Sequence, residues 1–371
     1  MDRFEIFLAA PPGLEALLAD EARAAGFAGV SVRPGGVELQ GGWPEVWRAN
    51  LELRGASRVL VRIASFRALH LAQLDKRSRR VDWAAVLRPD VPVKVEASCR
   101  SSRIYHAGAA AERVARAITE GLGTPVAPEA ALRVLVRIED DLCTISLDSS
   151  GEPLHRRGHK QALNPAPMRE TLAALFLRAC GYDGQESVLD PMCGAGTFVI
   201  EAAEIAAGLP PGRSRAFAFE QFASFDAAAW ARLKARAPGP APAPVFFGAD
   251  RDAGAIAMSR ANAERAGVAA ITRFERAPIS ALSRPDGPPG LVIVNPPYGG
   301  RIGNRKLLFA LYATLGAVLR ERFTGWRVGL VTADAGLARA TGLDFAPPGP
   351  VVPHGGLKVR LWRTGPLARP H

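Results

Sequence analysis

The chain has 371 residues, of which 48% are hydrophobic, so it is long enough to bury two or three separate cores. No stretch approaches 18 uninterrupted apolar residues, and the first residues, MDRFEIFLAAPPG, lack the features of a secretory signal. We therefore expect a cytoplasmic protein without a membrane span. The four cysteines lie far apart without a CxxC pair, which argues against a disulfide framework and a zinc site.

The positive charge is unevenly distributed. The net charge is +11, and residues 54–116 contain 14 lysines and arginines against five acidic residues. Such a segment predicts a surface for a polyanion, although a chain that simply favours arginine on its surface would look the same. Within it, the run KRSRR at 76–80 is either a phosphate-binding element or a solvated loop.

The first 150 residues alternate short strands and helices, which is typical of α+β units. We predict strands at 4–9, 36–40, 57–64, 91–97, 132–139 and 142–148, with helices at 13–25, 43–53 and 109–120.

After Gly151 the pattern becomes that of an α/β fold with a parallel, doubly wound sheet. We predict strands at 187–190, 245–249, 271–275, 291–295 and 327–332, and a hairpin at 350–363. Residues 208–244 interrupt this pattern as an insertion. It contains an aromatic patch, FAFEQFASF, which we expect to pack in a core, and a spacer, APGPAPAP.

The stretch DPMCGAGT, at 190–197, joins the first of these strands to a helix. Ligands of open parallel sheets bind outside the carboxyl ends of the strands, where Asp190 is predicted to lie. Gly194 and Gly196 would let the loop backbone approach a ligand, and Thr197 leads into the helix. The glycine pattern alone is weak, because ordinary tight turns share it.

A second acid follows the next strand. Asp250 ends VFFGAD, at the place where a ribose hydroxyl pair would lie if an adenosine were bound, and Asp252 is the reserve candidate. Asp250 could instead only cap the helix predicted near Ala253, and the two roles are compatible.

The segment VIVNPPYGG, at 292–300, ends an apolar strand with Asn295, Pro296, Pro297 and Tyr298. The two prolines lack N–H donors and stiffen the turn, so the Asn295 side chain and the Pro296 carbonyl are available as acceptors. Two acceptors and an aromatic ring suit a planar group with an exocyclic NH₂. Its nitrogen could then attack an electrophile held by the DPMCGAGT loop, such as a sulfonium methyl.

Four segments together resemble one protein family. They are LHRRGHK with MRETLAALFL (154–177), DPMCGAGTFVIEAA (190–203), GADRDAGAIAMSRANAERAGV (248–268) and NPPYGGRI (295–302). The chain resembles the THUMP-domain-containing class I S-adenosylmethionine-dependent RNA methyltransferases of the RlmL type, which make N2-methylguanosine in 23S ribosomal RNA. The resemblance implies a Rossmann-like methyltransferase domain with a seven-stranded sheet, preceded by an α+β RNA-binding region.

The resemblance also implies domain bounds and site residues. The domains would be a ferredoxin-like domain (1–58), a THUMP domain (59–150), a connecting segment (151–186) and the methyltransferase domain (187–371). The base site would comprise Asn295, Pro296, Pro297 and Tyr298, and the S-adenosylmethionine site Asp190, Pro191, Cys193, Gly194, Gly196, Thr197, Asp250 and Asp252. From charge and position, and not from the resemblance, we expect RNA contacts at Lys76, Arg77, Arg79, Arg80, Arg301 and Arg305.

One feature departs from the family pattern. Relatives usually carry an aspartate after the third strand that contacts the adenine of the cofactor, whereas FERAPISAL has Ala277 and Pro278 there. The loss of one such hydrogen bond is worth about 0.5–1.5 kcal/mol.

Three alternatives remain open. Transfer RNA could be the substrate, and the same Asn-Pro-Pro-Tyr motif would serve N6-adenine methylation. The missing aspartate leaves open an inactive RNA-binding protein. No metal is expected, because His155 and His159 lack a third ligand nearby in the sequence.

Overall fold

The computed structural model describes residues 3–160, 168–235, 244–298 and 305–369. The chain divides into two units. The first unit comprises Met1–Ala10, Ala19–Leu154 and Arg215–Arg236, and the second comprises Pro11–Leu18, His155–Ser214 and Ala237–His371. Within the described ranges, no helix is long and apolar enough to cross a membrane.

The first unit is built on a seven-stranded sheet with the order β2-β3-β1-β4-β7-β6-β5. Its strands are β1 (Phe4–Ala9), β2 (Ser31–Arg33), β3 (Gly36–Gly41), β4 (Arg58–Arg67), β5 (Val93–Arg100), β6 (Leu132–Glu139) and β7 (Leu142–Asp148). Its helices in the first 150 residues are α1 (Glu15–Ala24, which begins in the second unit), α2 (Trp43–Glu52), α3 (Leu71–Ser78) and α4 (Ala107–Leu122).

Period-two alternation produces the buried face of this sheet. In β6, Leu132, Val134, Val136 and Ile138 are buried, whereas the residues between them are partly or fully exposed. The strand β4 pairs antiparallel with β1 on one side and with β7 on the other. The predicted domain division after residue 58 lies at the start of β4, so a single sheet runs through both predicted domains.

The second unit contains the predicted doubly wound sheet, with the order β10-β9-β8-β11-β12-β14-β13. Its strands are β8 (Val188–Asp190), β9 (Phe246–Asp250), β10 (Thr272–Arg276), β11 (Leu291–Val294), β12 (Arg327–Thr332), β13 (Val352–His354) and β14 (Leu357–Arg363). The first five strands of that order are parallel, and β14 is antiparallel to β12.

Helices cover this sheet. They are α5 (Glu170–Ala179), α6 (Thr197–Ala206), α8 (Ala253–Ala266), α9 (Arg305–Arg322) and α10 (Ala335–Ala340). The strand β11 reads LVIV and all four residues are buried, as expected of a parallel strand that is covered on both faces. The seven-stranded Rossmann-like sheet predicted for this half of the chain is confirmed.

From Arg215 to residue 235, the insertion belongs to the first unit, although it lies in the chain between β8 and β9. It contains α7 (Ala227–Lys234) and the aromatic patch. The rings of Phe217 and Phe219 stack with centroids 5.2 Å apart, and Trp230 meets Phe219 edge-on at 5.0 Å. All three side chains are buried, so the patch forms a core as predicted. The predicted spacer APGPAPAP lies, except for its last residue, outside the described residues.

In the first 150 residues, one strand and one α-helix were not predicted, β2 and α3. The strand β2 is only three residues long, and it pairs at the sheet edge with β3. The helix α3 has the sequence LAQLDKRS, with only Leu74 and Ser78 buried, so its apolar stripe is too narrow to be recognised.

Candidate functional site

The site lies where three neighbouring strands of the second unit end. Asp190 is the last residue of β8, Asp250 is the last residue of β9, and Asn295 follows β11 directly. These strands are adjacent in the order β9-β8-β11, and all are parallel. Their carboxyl ends therefore meet at one edge of the sheet, where ligands bind in open α/β folds.

The loop from Asp190 to Thr197 uses its glycines for backbone conformation. Gly194 has φ 53° and Gly196 has φ 81°, both in the left-handed region that favours glycine. A Cβ atom at Gly196 would also come within 3.1 Å of Ser259 Oγ. Gly196 is the N-cap of α6, which begins at Thr197, so the loop leads directly to the positive end of a helix.

Helix α8 holds this loop through residues that sequence reasoning missed. Ser259 Oγ donates to the Gly194 carbonyl at 2.8 Å, and Asn262 Nδ2 donates to the Ala195 carbonyl at 3.0 Å. Both side chains are fully buried. The signal in the sequence is the i,i+3 spacing of these polar residues on the face of α8 that packs against the loop.

The two acidic residues after β9 have different roles. Asp250 accepts hydrogen bonds from the amides of Gly194 at 3.1 Å and Asp252 at 2.9 Å. Asp252 is exposed and caps α8, since its carboxylate accepts from Gly254 N at 2.9 Å. The capping role that the sequence allowed for Asp250 thus falls to Asp252. Ala277 N donates to the Asp250 carbonyl at 3.0 Å, so this amide is not available to a ligand.

Asp190 is buried, with 3% of its surface exposed. The pKa of its carboxyl group is raised to about 8, mainly by burial and in smaller part by the nearby Asp250, while a hydrogen bond from Met192 N acts in the opposite direction. Asp190 is therefore largely protonated at neutral pH in the chain without ligands. Its position favours a ligand whose positive charge would stabilise the ionised form.

Asp190→Asn is expected to stabilise the chain against unfolding at pH 8–9. The folded state keeps the Asp190 proton up to a higher pH than the unfolded state, so wild-type stability decreases as the pH rises from about 4 to 8. The asparagine variant lacks this loss of stability. Below pH 4 the difference in stability between the variant and the wild type should vanish. Urea unfolding across this pH range would measure it. The same change at exposed Asp286 should have no pH-dependent effect.

Cys193 and Pro191 are both buried in the loop. The Cys193 amide donates to the Ala249 carbonyl at 2.9 Å, and burial holds the pKa of the thiol well above its usual value. The thiol is therefore protonated at neutral pH, and it is not a nucleophile. Cys193 also restricts the size of the residue at position 248 on β9, because a Cβ atom at Gly248 would lie 3.1 Å from the Cys193 sulfur.

The segment after β11 presents one buried acceptor without a partner. Asn295 Oδ1 is inaccessible to solvent and accepts no hydrogen bond among the described residues. An unmade bond at a buried amide is costly, and such atoms mark places where a ligand completes the bonding. Tyr298 is completely buried, so no face of its ring is accessible in this structure.

Tyr312, on α9, supports this turn and was not found from the sequence. Its hydroxyl lies 3.3 Å from the Pro297 carbonyl and 3.4 Å from Thr332 Oγ1, and its side chain is fully buried. Burial raises the pKa of the phenol, so it remains a neutral donor. Tyr312 therefore links the turn that contains Asn295 to Thr332, at the end of β12.

Tyr312→Phe is expected to lower the free energy of unfolding by about 1 kcal/mol, because it leaves the Pro297 carbonyl without its donor. Urea denaturation would measure this change. In a double-mutant cycle with Thr332→Val the two effects should not add, since both side chains belong to one hydrogen-bonded group. Fully additive effects would contradict the arrangement.

The predicted RNA-contacting residues divide between the units. In the first unit, Lys76, Arg77 and Arg80 line a groove of about 1600 Å³, whereas Arg79 is paired with Asp75 at 2.9 Å and Glu120 at 2.6 Å. In the second unit, exposed Arg305 lies 3.7 Å from Asp334. Arg301 lies outside the described residues.

The histidines show no sign of a metal site. Burial lowers the pKa of His155 to about 4 and also lowers that of His159. No cluster of three or more histidine, cysteine or acidic residues in the described ranges could hold a metal ion. Arg156 and Arg157 lie between the two histidines, and the Arg157 guanidinium pairs with Glu201 at 3.3 Å, with both side chains buried.

The strand order, the glycine loop and the turn after β11 define a class I methyltransferase fold. The model of the RMKL-like methyltransferase domain matches residues 157–344, and that of the RlmL ferredoxin-like domain matches residues 5–60. The chain belongs to this RMKL-like methyltransferase family, as the sequence analysis expected.

Known proteins agree with this assignment. The Ribosomal RNA large subunit methyltransferase K/L of Syntrophotalea carbinolica is 37% identical over 91% of this chain and 50% of its own length. The chain thus spans about half the length of the curated relatives it matches. A "possible methylase" from Clostridium difficile 630 has a TM-score of 0.89 at 27% identity over all of both chains. The protein SMU.472, solved in complex with SAH, has a TM-score of 0.87 at 25% identity and covers 100% of this chain and 99% of its own.

Proposed function

We propose that the chain transfers a methyl group from S-adenosylmethionine to the exocyclic N2 of a guanine in structured RNA, with 23S ribosomal RNA as the favoured substrate. The name of the Syntrophotalea relative, a large-subunit ribosomal RNA methyltransferase, supports the substrate class. The observation that carries the proposal is the buried Asn295 Oδ1, which has no partner among the described residues and lies after β11, next to the glycine loop that follows β8.

The donor set fits S-adenosylmethionine. Asp190 would face its cationic amino-acid end, and Asp250 would accept from its ribose hydroxyls. The amides of the first turn of α6, which begins at Thr197, would face its carboxylate. The remaining loop residues that we assign to this site are Pro191, Cys193 and Gly196, with Asp252 beside it. When bound, the cofactor supplies an electrophilic methyl group, and SMU.472 offers a solved example of the related product complex.

The turn after β11 would hold the target base. Asn295 Oδ1 and the Pro296 carbonyl would accept the two hydrogens of the exocyclic amine and direct its nitrogen lone pair towards the methyl group. Pro297 stiffens the turn and Tyr312 anchors it. Since Tyr298 is buried, the two acceptors have more structural support than stacking by its ring.

The groove of the first unit would hold RNA. Seven lysine and arginine side chains and three acidic ones line it. Lys76 and Arg80 are exposed and make no ion pair within the described ranges, and neither does Arg232 of α7. Arg77 lies over the Phe66 ring at 5.8 Å. A basic rim with aromatic rings nearby suits the backbone and bases of RNA. The groove lies partly in residues 59–150, which we assign to a THUMP domain.

Three alternatives differ in what they predict. Transfer RNA would use the same site, and N6-adenine methylation would use the same two acceptors. An inactive RNA-binding protein would fail to bind S-adenosylmethionine in calorimetry at millimolar concentration. The proposed substrate implies action in the cytoplasm, where ribosomal RNA is found.

Nucleoside mass spectrometry on separated ribosomal and transfer RNA tests the proposal. RNA from a strain that lacks the gene is compared with RNA from its parent. Loss of one N2-methylguanosine from 23S RNA is the expected result. Its loss from transfer RNA would keep the chemistry and change the substrate, loss of an N6-methyladenosine would change the target base, and no change in any methylated nucleoside would overturn the proposal.

A further inference from the structure

A buried lysine contacts the first residue of α6. Lys160 Nζ lies 3.0 Å from Thr197 Oγ1, 2.9 Å from the Met168 carbonyl and 3.2 Å from Glu170 Oε1. The Lys160 and Glu170 side chains are only 9% and 6% exposed. An ammonium group has three hydrogens, so these three acceptors satisfy it completely.

Stability alone does not explain this lysine. Burial of an ion pair costs desolvation energy that its attraction often fails to recover. A positive charge beside the N-terminus of a helix is also unfavourable, because that end of the helix dipole is positive. An apolar pair would fill the space between α5 and α6 more simply. The lysine is instead tied by a hydrogen bond to Thr197, at the helix end where the loop from Asp190 arrives.

Lys160 borders a small cavity, and on that side there is no room for a cofactor to contact it directly. That cavity, shared with Glu170 and Thr197, has a volume of about 10 Å³. It is large enough for about one water molecule and not for an amino-acid group. On that side, Lys160 acts through its contact with Thr197, the first residue of α6.

We propose that Lys160 is a positioning residue that fixes the first turn of α6 through Thr197, so that the amides there bind the carboxylate of the cofactor's amino-acid group. This inference rests on the proposed function. Helix N-termini bind anions through free amides, and the carboxylate is the one anionic group of S-adenosylmethionine and S-adenosylhomocysteine. Lys160 thereby acts on the amino-acid end of the cofactor and not on its adenosine.

The test compares S-adenosylhomocysteine with 5′-methylthioadenosine, which lacks the amino-acid group, by calorimetry. Lys160→Met alone leaves Glu170 as an unpaired buried charge and risks unfolding, so the variant is Lys160→Met with Glu170→Gln. We expect its affinity for S-adenosylhomocysteine to fall about tenfold, while its affinity for 5′-methylthioadenosine changes less than about twofold.

Two further sets of variants control for packing. Arg157→Met with Glu201→Gln removes another buried pair from the same region, with side chains 2% and 1% exposed, and should leave the ratio of the two affinities unchanged. Thr197→Val should reproduce the selective loss, and Thr197→Ser should restore the wild-type ratio, because it keeps the hydroxyl that Lys160 contacts.

Two results would overturn the inference. Equal weakening of both compounds in the Lys160 and Glu170 variant would make the pair a merely structural element, and unchanged affinity for S-adenosylhomocysteine would remove its role altogether. A wild-type chain that binds neither compound would overturn the proposed function, and the inference with it. That outcome is distinguishable because it concerns the unaltered protein.

Discussion

Asn295→Ala is expected to lower the turnover number for methyl transfer by about a hundredfold or more, while the affinity for S-adenosylmethionine changes less than about twofold. The Asn295 side chain supplies an acceptor that has no partner in the described structure. Its bond to the amino group of the base strengthens as that nitrogen acquires positive charge during methyl transfer. The interaction therefore acts on the transition state more than on substrate binding. Single-turnover kinetics and calorimetry would measure the two quantities.

A matched variant separates the acceptor from the shape of the side chain. Asn295→Asp keeps an acceptor oxygen and replaces the NH₂ group by a second oxygen, so it should keep more activity than Asn295→Ala. Thermal unfolding of Asn295→Ala should remain close to wild type, because the lost acceptor has no partner among the described residues whose bond would be broken. A parallel loss of cofactor affinity and turnover in Asn295→Ala would mean that Asn295 supports the fold of the turn instead.

The strand ends of the site could be predicted because their signals are local. An apolar run followed by Asp190, Asp250 or Asn295 marks the carboxyl end of a buried parallel strand, and the parallel arrangement brings such ends to one edge. Because β9, β8 and β11 are adjacent in the sheet, the three residues lie side by side at that edge. Each of these residues needed only its own neighbours in the chain to be recognised.

The supporting contacts could not be predicted, since they join residues that are distant in sequence. Lys160 reaches Thr197 across 37 positions, and Tyr312 reaches Pro297 across 15. The basic run likewise gave no sign that Arg79 differs from its neighbours, because Glu120, one of its partners, comes from α4. Charge and periodicity describe a residue's own segment, and such partners are set by tertiary packing.

The insertion illustrates the same limit on a larger scale. Its aromatic residues predicted burial, and Phe219 is indeed buried. Its core, however, includes Trp47 of α2, whose ring lies 6.2 Å from that of Phe219. No pattern within residues 208–244 indicates that they join a sheet formed by the first 150 residues. Association of this segment with the first unit also brings Arg232 to the groove.

Replacing Lys76, Arg77 and Arg80 together by alanine is expected to weaken binding to a 23S RNA fragment and to flatten its salt dependence. Each lost phosphate contact reduces the slope of log affinity against log salt by about 0.7–0.9, so the slope should fall by about two. All three side chains are exposed, so the fold should be retained. Filter binding at salt concentrations from about 50 to about 300 mM would measure the change in slope.

Arg79 is the matched control, since it belongs to the same run and is also exposed. Its guanidinium is held by Asp75 and Glu120, and the pair to Asp75 lies at 2.9 Å, so its charge is largely compensated within the first unit. Arg79→Ala should therefore change the salt slope by much less than one, although it carries the same charge as its neighbours. A slope that falls by the same amount for each charge removed, in the single and the triple variant alike, would show that net charge alone attracts the RNA. If the slope is unchanged in the triple variant, residues 76–80 are an ordinary solvated surface. The RNA would then have to bind elsewhere on the chain.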